Sequence, residues 1–232
     1  MKQICSNRRM TRSYRYLGTI TSLYVALQLI SDVSAGKIIQ LGWFTVSATV
    51  LYFPLTYIFS DILTEVYGYV QSRRVVWTVL ACSILAGLLY QLVVWLPPAT
   101  GFEANAAYAR VLGSVPRILI GGWIAVWAGG MANDYLLAKM KVWTQGKHLW
   151  ARTIASTILG EGINTGLFYG IALSNILPTN ILVASILSGW LLKVLIEAVC
   201  TPITYFVIHK LKHLEQEDYY DRDTDFNPLK IW

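Results

Sequence analysis

Of the 232 residues, 55% are hydrophobic and only 14% are charged, against about 25% charged in an ordinary soluble domain, so the chain reads as an integral membrane protein. Its formal charge of +6 does not point to nucleic acid, because the basic residues lie between apolar segments, where the positive-inside rule accounts for them. Cys5, Cys82 and Cys200 are odd in number and lack CxxC spacing, and two fall inside apolar runs, which argues against a disulfide framework or a zinc site.

Residues 1–15 carry Lys2, Arg8, Arg9, Arg12 and Arg15 with no acid, a basic cytoplasmic anchor. A first span is expected over residues 16–34, ending near Asp32 and followed by Gly36 and Lys37. The Val33, Ser34, Ala35 triplet imitates a signal-peptidase site, but Asp32 sits where a cleaved peptide should be small and neutral. Span two is expected over 43–60, running into SDILTEVYGYVQSRR, and span three over 75–96, ended by Pro97 and Pro98. The following loop, GFEANAAYARVLGSVPR, is moderately amphipathic and is expected to hold a short surface helix. Spans four, five and six follow over 118–138, 153–174 and 179–211, with Pro178 in the last turn. The acidic tail, 212–232, is expected to be cytoplasmic and loosely ordered.

The pattern predicts an all-α integral membrane protein, a bundle of six transmembrane helices over 16–211 with both termini cytoplasmic. One side collects the N-terminal five cations with Arg73, Arg74, Lys139, Lys141, Lys147, Arg152, Lys210 and Lys212. The other side has only Lys37, Arg110 and Arg117, a strong asymmetry for a chain of this size. No internal repeat is evident.

Charges at mid-bilayer cost at least about 2.5–3.5 kcal/mol each on insertion scales, so those present need a reason. In span six Lys193 and Glu197 share one helical face, which Ser185, Gly189 and Thr201 continue. In span five, TILGEGINTGLFYG gathers Glu161, Asn164 and Thr165 within about one turn. Gly162, Gly166 and Gly170 form a small-xxx-small ridge for a close helix contact, and with Gly160 they make the turn easy to distort. Two bland readings stand beside a ligand site: Glu161 salt-bridged to Lys193 in a simple packing contact, or Lys193 and Glu197 neutralising each other. If all three ionisable groups converge, one carboxylate is in excess and should take a proton or a donor-rich ligand.

Asp61 and Glu65 are also four apart, with Arg73 and Arg74 close behind. They form either a solvated helix end with local ion pairs or a cytoplasmic gate, to which Asn133 and Asp134 at the inner end of span four are neighbours. Tyr52, Tyr57, Trp123, Trp127, Phe168 and Tyr169 fall within spans and offer stacking faces for a planar ligand. Walker A, HExxH and GxSxG sequences are absent, and His148, His209 and His213 lie at cytoplasmic ends. No catalytic residue, metal ligand or cofactor is therefore assigned.

The run FPLTYIFSDILTEVYGYVQSRR, with FPxTY, Asp61, Glu65, Tyr67, Gly68 and the Arg pair, resembles the signature of the VUT family, the queuosine-precursor transporters. Gly36 and Lys37, Asn133 within GGMANDYLLAKMK, Asn164 and Thr165, Leu192 and Lys193, and the FNPL of the tail follow in order. Departures from the family pattern are Asp32, Asn164 and Glu161, which bear on the exact precursor. The resemblance implies import of 7-cyano- or 7-aminomethyl-7-deazaguanine, or queuine, across a bacterial inner membrane for salvage into transfer RNA.

A deazaguanine offers an adjacent ring N–H and exocyclic amine, for which a carboxylate is a natural bidentate acceptor. Glu161 or Glu197 would read that edge, and Asn164, Thr165 and Asn133 complete the candidate substrate site. Lys193 would keep the empty site neutral. Asp61, Glu65 and Asp134 belong to an inner gate, and Asp32 and Lys37 to an outer one. The partners expected are a small planar nucleobase-like substrate and the lipid bilayer, with no direct nucleic-acid contact and a homodimer left open. Competing readings are the substrate-binding subunit of an ATPase-coupled importer, a metal-dependent membrane enzyme using Asp61 and Glu65 at the cytoplasmic face, and a structural scaffold.

Overall fold

A computed structural model describes residues 13–42, 44–113, 116–174 and 178–230. The basic anchor residues Lys2, Arg8, Arg9 and Arg12, together with Cys5, lie outside them. Helix α1 (Leu17–Ser34) leads into a hairpin of β1 (Ile38–Leu41) and β2 (Phe44–Ser47), then a 3-10 turn (Ala48–Leu51) and α2 (Pro54–Tyr67). After Gly68 come α3 (Tyr69–Trp95), the short α4 (Asn105–Leu112) and α5 (Pro116–Trp143). The chain closes with α6 (Leu149–Phe168), which widens into a π turn over Tyr169–Leu173, and α7 (Thr179–Glu215).

Three of these helices, α1, α3 and α7, are long and apolar enough to cross a membrane. At 1.5 Å per residue, the 37 residues of α7 reach roughly 55 Å, well beyond the ~30 Å hydrocarbon core. Their outward faces are fatty: Leu88 and Leu92 on α3, and Leu195, Val199 and Phe206 on α7, are exposed. The inward face of α7 carries the buried line Ser185, Gly189, Glu197, Thr201, Thr204 and Ile208, so the polar stripe read from the sequence is the packing face. The helical membrane architecture agrees with expectation, as does the surface helix α4, of which no residue is buried.

Span two is a correction. Trp43 lies outside the described residues, and residues 44–60 do not form one continuous helix. The antiparallel hairpin pairs Ile38 with Ser47 and Leu41 with Phe44, turning at Gly42 with φ +58°. The β-branched and aromatic residues of IIQL and FTVS favour strands, and Pro54, whose ring suits the first turn of a helix, begins α2 eleven residues later than expected. That helix is the centre of the bundle, with twelve of its fourteen residues buried. Ile58, Ile62, Leu63 and Val66 pack with Ile20 and Tyr24 of α1, Val75 and Val79 of α3, and Ile208 and Leu211 of α7.

Helices α5 and α6 approach most closely at Gly129 and Gly160. A Cβ on Gly160 would lie 2.7 Å from the Asn133 Cβ and 2.9 Å from the Gly129 carbonyl oxygen. The ridge expected from Gly162, Gly166 and Gly170 is not this contact, since a Cβ on Gly166 or Gly170 would meet nothing within 4 Å and the atoms nearest one on Gly162 belong to Trp190. Those three glycines lie off the α5-facing line that Gly160 and Asn164 occupy. Distortion does occur, one turn on, as the π turn.

The tail is not loosely ordered. Its acidic and aromatic groups find partners: the Tyr69 N–H donates to Asp221 (3.1 Å), Arg73 donates to the carbonyls of Asp225 (2.8 Å) and Asn227 (2.7 Å), and Trp77 donates to that of Pro228 (3.0 Å). The Phe226 ring lies against Tyr69 and Tyr135. At the same end the Tyr16 N–H donates to Glu215 (2.7 Å) and the Tyr14 hydroxyl to Glu217 (3.2 Å), so the start of α1 and the end of α7 lie side by side.

Candidate functional site

The sequence candidates separate into three groups. The first is a cavity of about 60 Å³ lined by Gln28 and Asp32 of α1, Phe53, Gly122 of α5, Asn164 and Phe168 of α6, and Lys193 of α7, among others. Lys193 stands at its wall and ties two helices together. Its ammonium donates to Glu161 Oε2 (3.0 Å), Asn164 Oδ1 (3.4 Å) and Thr165 Oγ1 (3.3 Å), and it sits 4.4 Å from the centre of the Phe53 ring. The neutralisation of Lys193 by Glu197 along α7 does not occur; the cation chooses the carboxylate across the interface. Glu161 is wholly buried behind it, and its second oxygen, Oε1, has no hydrogen-bond partner.

A second group lies deeper. Glu197 accepts from Thr157 (2.5 Å) and Asp61 from Asn133 Nδ2 (2.7 Å). Asp134 accepts from Ser60 (2.7 Å) and Ser72 (2.5 Å). Glu197 and Asn133 therefore stand with Asp61 rather than on the cavity wall.

The third group surrounds Glu65. This fully buried carboxylate receives Arg152 (2.7 Å), Lys212 (2.7 Å) and Lys141 (3.4 Å), from α6, α7 and α5. Lys141 and Lys212 also reach Asp218 of the tail, at 2.6 Å and 2.8 Å. Partial burial works to raise the Asp218 carboxyl, but hydrogen bonds from both lysines hold it below the ordinary carboxylate range. Arg73, expected to pair locally with Asp61 or Glu65, is instead committed to the tail carbonyls. Between the acids of α2 and Arg73 the chain turns at Gly68, whose φ is +86°.

Asp32 accepts from Gln28 (2.8 Å). Lys37 is exposed beside the hairpin, and among the described residues no ion pair joins it to Asp32. Of the candidate stacking rings, Phe168 faces the cavity, whereas Trp123 and Trp127 line a separate apolar groove with Trp77. Phe53, Gln28 and Thr157 were not singled out in the sequence. Gln28 was findable from its spacing of four to Asp32, and Phe53 from its place in FPxTY. Thr157 has no such signal, since its partner lies on another helix. Among the described residues no three His, Cys, Asp or Glu side chains gather to hold a metal. Asp61 and Glu65 engage different partners, so the metal-enzyme reading is not favoured.

Residues 47–207 match the family described as "Putative vitamin uptake transporter", which is 161 of 232 residues. The chain belongs to this family. It is also similar to a Bacillus subtilis (strain 168) protein named "Probable queuosine precursor transporter", at 22% identity over 170 residues, 73% of this chain and 74% of the other. No solved structure matches. As a vitamin uptake transporter family member, the chain is a multi-pass membrane transporter. The matched region contains Asp61, Glu65, Asn133, Asp134, Glu161, Asn164, Lys193 and Glu197, whereas Gln28, Asp32, Lys37, Lys212 and the tail lie outside it.

Proposed function

We propose that this chain is a secondary transporter importing a deazaguanine-type queuosine precursor, and that the Lys193 cluster is where the heterocycle is held. The observation that carries this reading is a buried carboxylate with one oxygen fixed and one unsatisfied. Lys193 holds Oε2 of Glu161, and Oε1, buried behind the cavity wall, is left to accept an N–H donor of a guanine-like edge once the cavity widens. Asn164 supplies an amide for the neighbouring edge, and Phe53 and Phe168 supply apolar faces. The similarity to a protein named as a queuosine precursor transporter supports the same substrate class.

The cavity is contracted in this conformation. A ring the size of benzene fills a cavity of about 150 Å³, against about 60 Å³ here. Binding therefore widens the space between α1, α5 and α6, and the hairpin side is the side that opens. The Glu65 cluster and the docked tail close the opposite end, which serves as the cytoplasmic gate. The basic residues that collect around that end support six crossings with both termini cytoplasmic, and the similarity to a bacterial protein supports a bacterial inner membrane.

Expression in a bacterium unable to make queuosine precursors tests the reading. Each of 7-cyano-7-deazaguanine, 7-aminomethyl-7-deazaguanine and queuine is supplied in turn, and modified transfer RNA is measured. Restoration by at least one is expected, and its loss on Glu161→Ala, Asn164→Ala or Lys193→Ala with protein still in the membrane. Failure of all three compounds removes the substrate class; unchanged uptake in a variant removes that residue from the site.

A further inference from the structure

Besides Glu65, the carboxyl groups of Asp61, Asp134, Glu161 and Glu197 are buried inside the bundle. Among the described residues Lys193 is the one cation paired with any of them, and it serves Glu161. Asp134 has two hydroxyl donors. Asp61 and Glu197 each have one donor, Asn133 and Thr157, and each keeps a buried oxygen, Oδ2 and Oε2, that no protein donor meets. These two carboxyl groups lie within hydrogen-bonding reach of one another. Two ionised carboxylates are acceptors only and repel at that separation; one shared proton turns one of them into a donor and satisfies both.

We propose that Asp61 and Glu197 form a proton-binding site, and that its proton moves inward together with the transported molecule. The site joins α2 to α7. Tyr57 of α2 and Tyr24 of α1 face this buried cluster, as do Asn133 and Asp134 of α5, Thr157 and Glu161 of α6, and Cys200 of α7 itself. Lys193 precedes Glu197 by four residues on the same helical face. While the proton is shared, Glu197 exerts little pull, and Lys193 remains on Glu161, Asn164 and Thr165, keeping the cavity wall assembled. Loss of the proton on the inner side leaves two like charges in contact. They push α2 from α7 and draw Lys193 toward Glu197, which dismantles the wall and releases the cargo. Proton and cargo therefore favour each other's binding, as linkage requires for movement in the same direction.

The direction of coupling rests on the transport reading above; the proton site does not, and the test separates them. Infrared spectra of the purified full chain in lipid are recorded at neutral pH, without any cargo. The wild type is expected to show a protonated-carboxyl C=O stretch that disappears at alkaline pH and is missing from the Asp61→Asn, Glu197→Gln double variant. An unchanged carboxyl band in that variant overturns the proton site.

The second arm uses proteoliposomes and labelled 7-aminomethyl-7-deazaguanine. An acidic exterior should drive accumulation by wild type, and a protonophore should abolish it. Asp61→Asn should lose accumulation but retain exchange of labelled for unlabelled cargo, which also certifies its fold. Accumulation that ignores the proton gradient, or persists in Asp61→Asn, overturns the coupling, and so does joint loss of accumulation and exchange. No cargo movement by wild type with the carboxyl band present defeats the substrate assignment and leaves the proton site standing.

Discussion

Glu65 shows how a single acid can hold three helices. It is fully buried against Arg152, Lys141 and Lys212, and of these only Lys212 keeps appreciable exposure, at 23%. Removing one member of such a cluster strands the others, a penalty of about 3–5 kcal/mol. Glu65→Gln is therefore expected to reduce the folded yield and the thermal midpoint in detergent sharply, and an unaltered melting curve would mean the cations find other acceptors. Gly160→Ala acts by sterics instead. Its new methyl would stand 2.7 Å from the Asn133 Cβ, and overpacking of this kind costs typically about 1–3 kcal/mol. Lower thermal stability with the α5–α6 contact loosened is the expected result, whereas Gly166→Ala, in open space, should be nearly silent. At this scale the sequence was informative about which residues face inward, because a period near four is visible in one helix. It was not informative about partners: Lys193 pairs with Glu161 and not with Glu197, a choice made by the neighbouring helix.

Among the elements, α2 and the tail depart most from expectation, and for related reasons. The α2 segment is apolar because it is central, and a hydropathy reading cannot distinguish a buried helix from one facing lipid. The tail is polar because its partners are polar, and composition alone cannot reveal that Lys141, Lys212 and Arg73 wait for it. Asp218 gives this docking a pH signature. Its folded-state pKa lies below the ordinary value, so the tail contact is fully present above about pH 4 and is lost as pH falls through the depressed value. Limited proteolysis of residues beyond Gln216 should thus be slow at neutral pH and begin only in stronger acid. Asp218→Asn removes the charge at every pH and should expose the same sites to protease at neutrality. Equal cleavage of both proteins would mean that the carbonyls bound by Arg73 hold the tail without Asp218.

For the whole molecule, the placement of charge and the pairing of the two chain ends bear on topology from different directions. Lys141, Arg152 and Lys212 meet at one end of the bundle, where basic residues in short connections mark the cytoplasmic side. The start of α1 reaches Glu215 and Glu217 at that same end, which fits the even number of crossings proposed above. Three of the described helices meet the length and hydropathy of a span by themselves, and the six-crossing arrangement proposed above adds three more. Cysteine labelling decides the matter. With Cys5, Cys82 and Cys200 replaced by serine, a cysteine at the exposed Ala99, between α3 and α4, should react with an impermeant maleimide in intact cells. Cysteines at the exposed Lys147 and Asp223 should react only after the membrane is opened. If Ala99 and Asp223 label from the same side, the six-crossing arrangement falls, because it sets those positions on opposite faces of the membrane; labelling of Asp223 in intact cells overturns the cytoplasmic assignment of the Glu65 end.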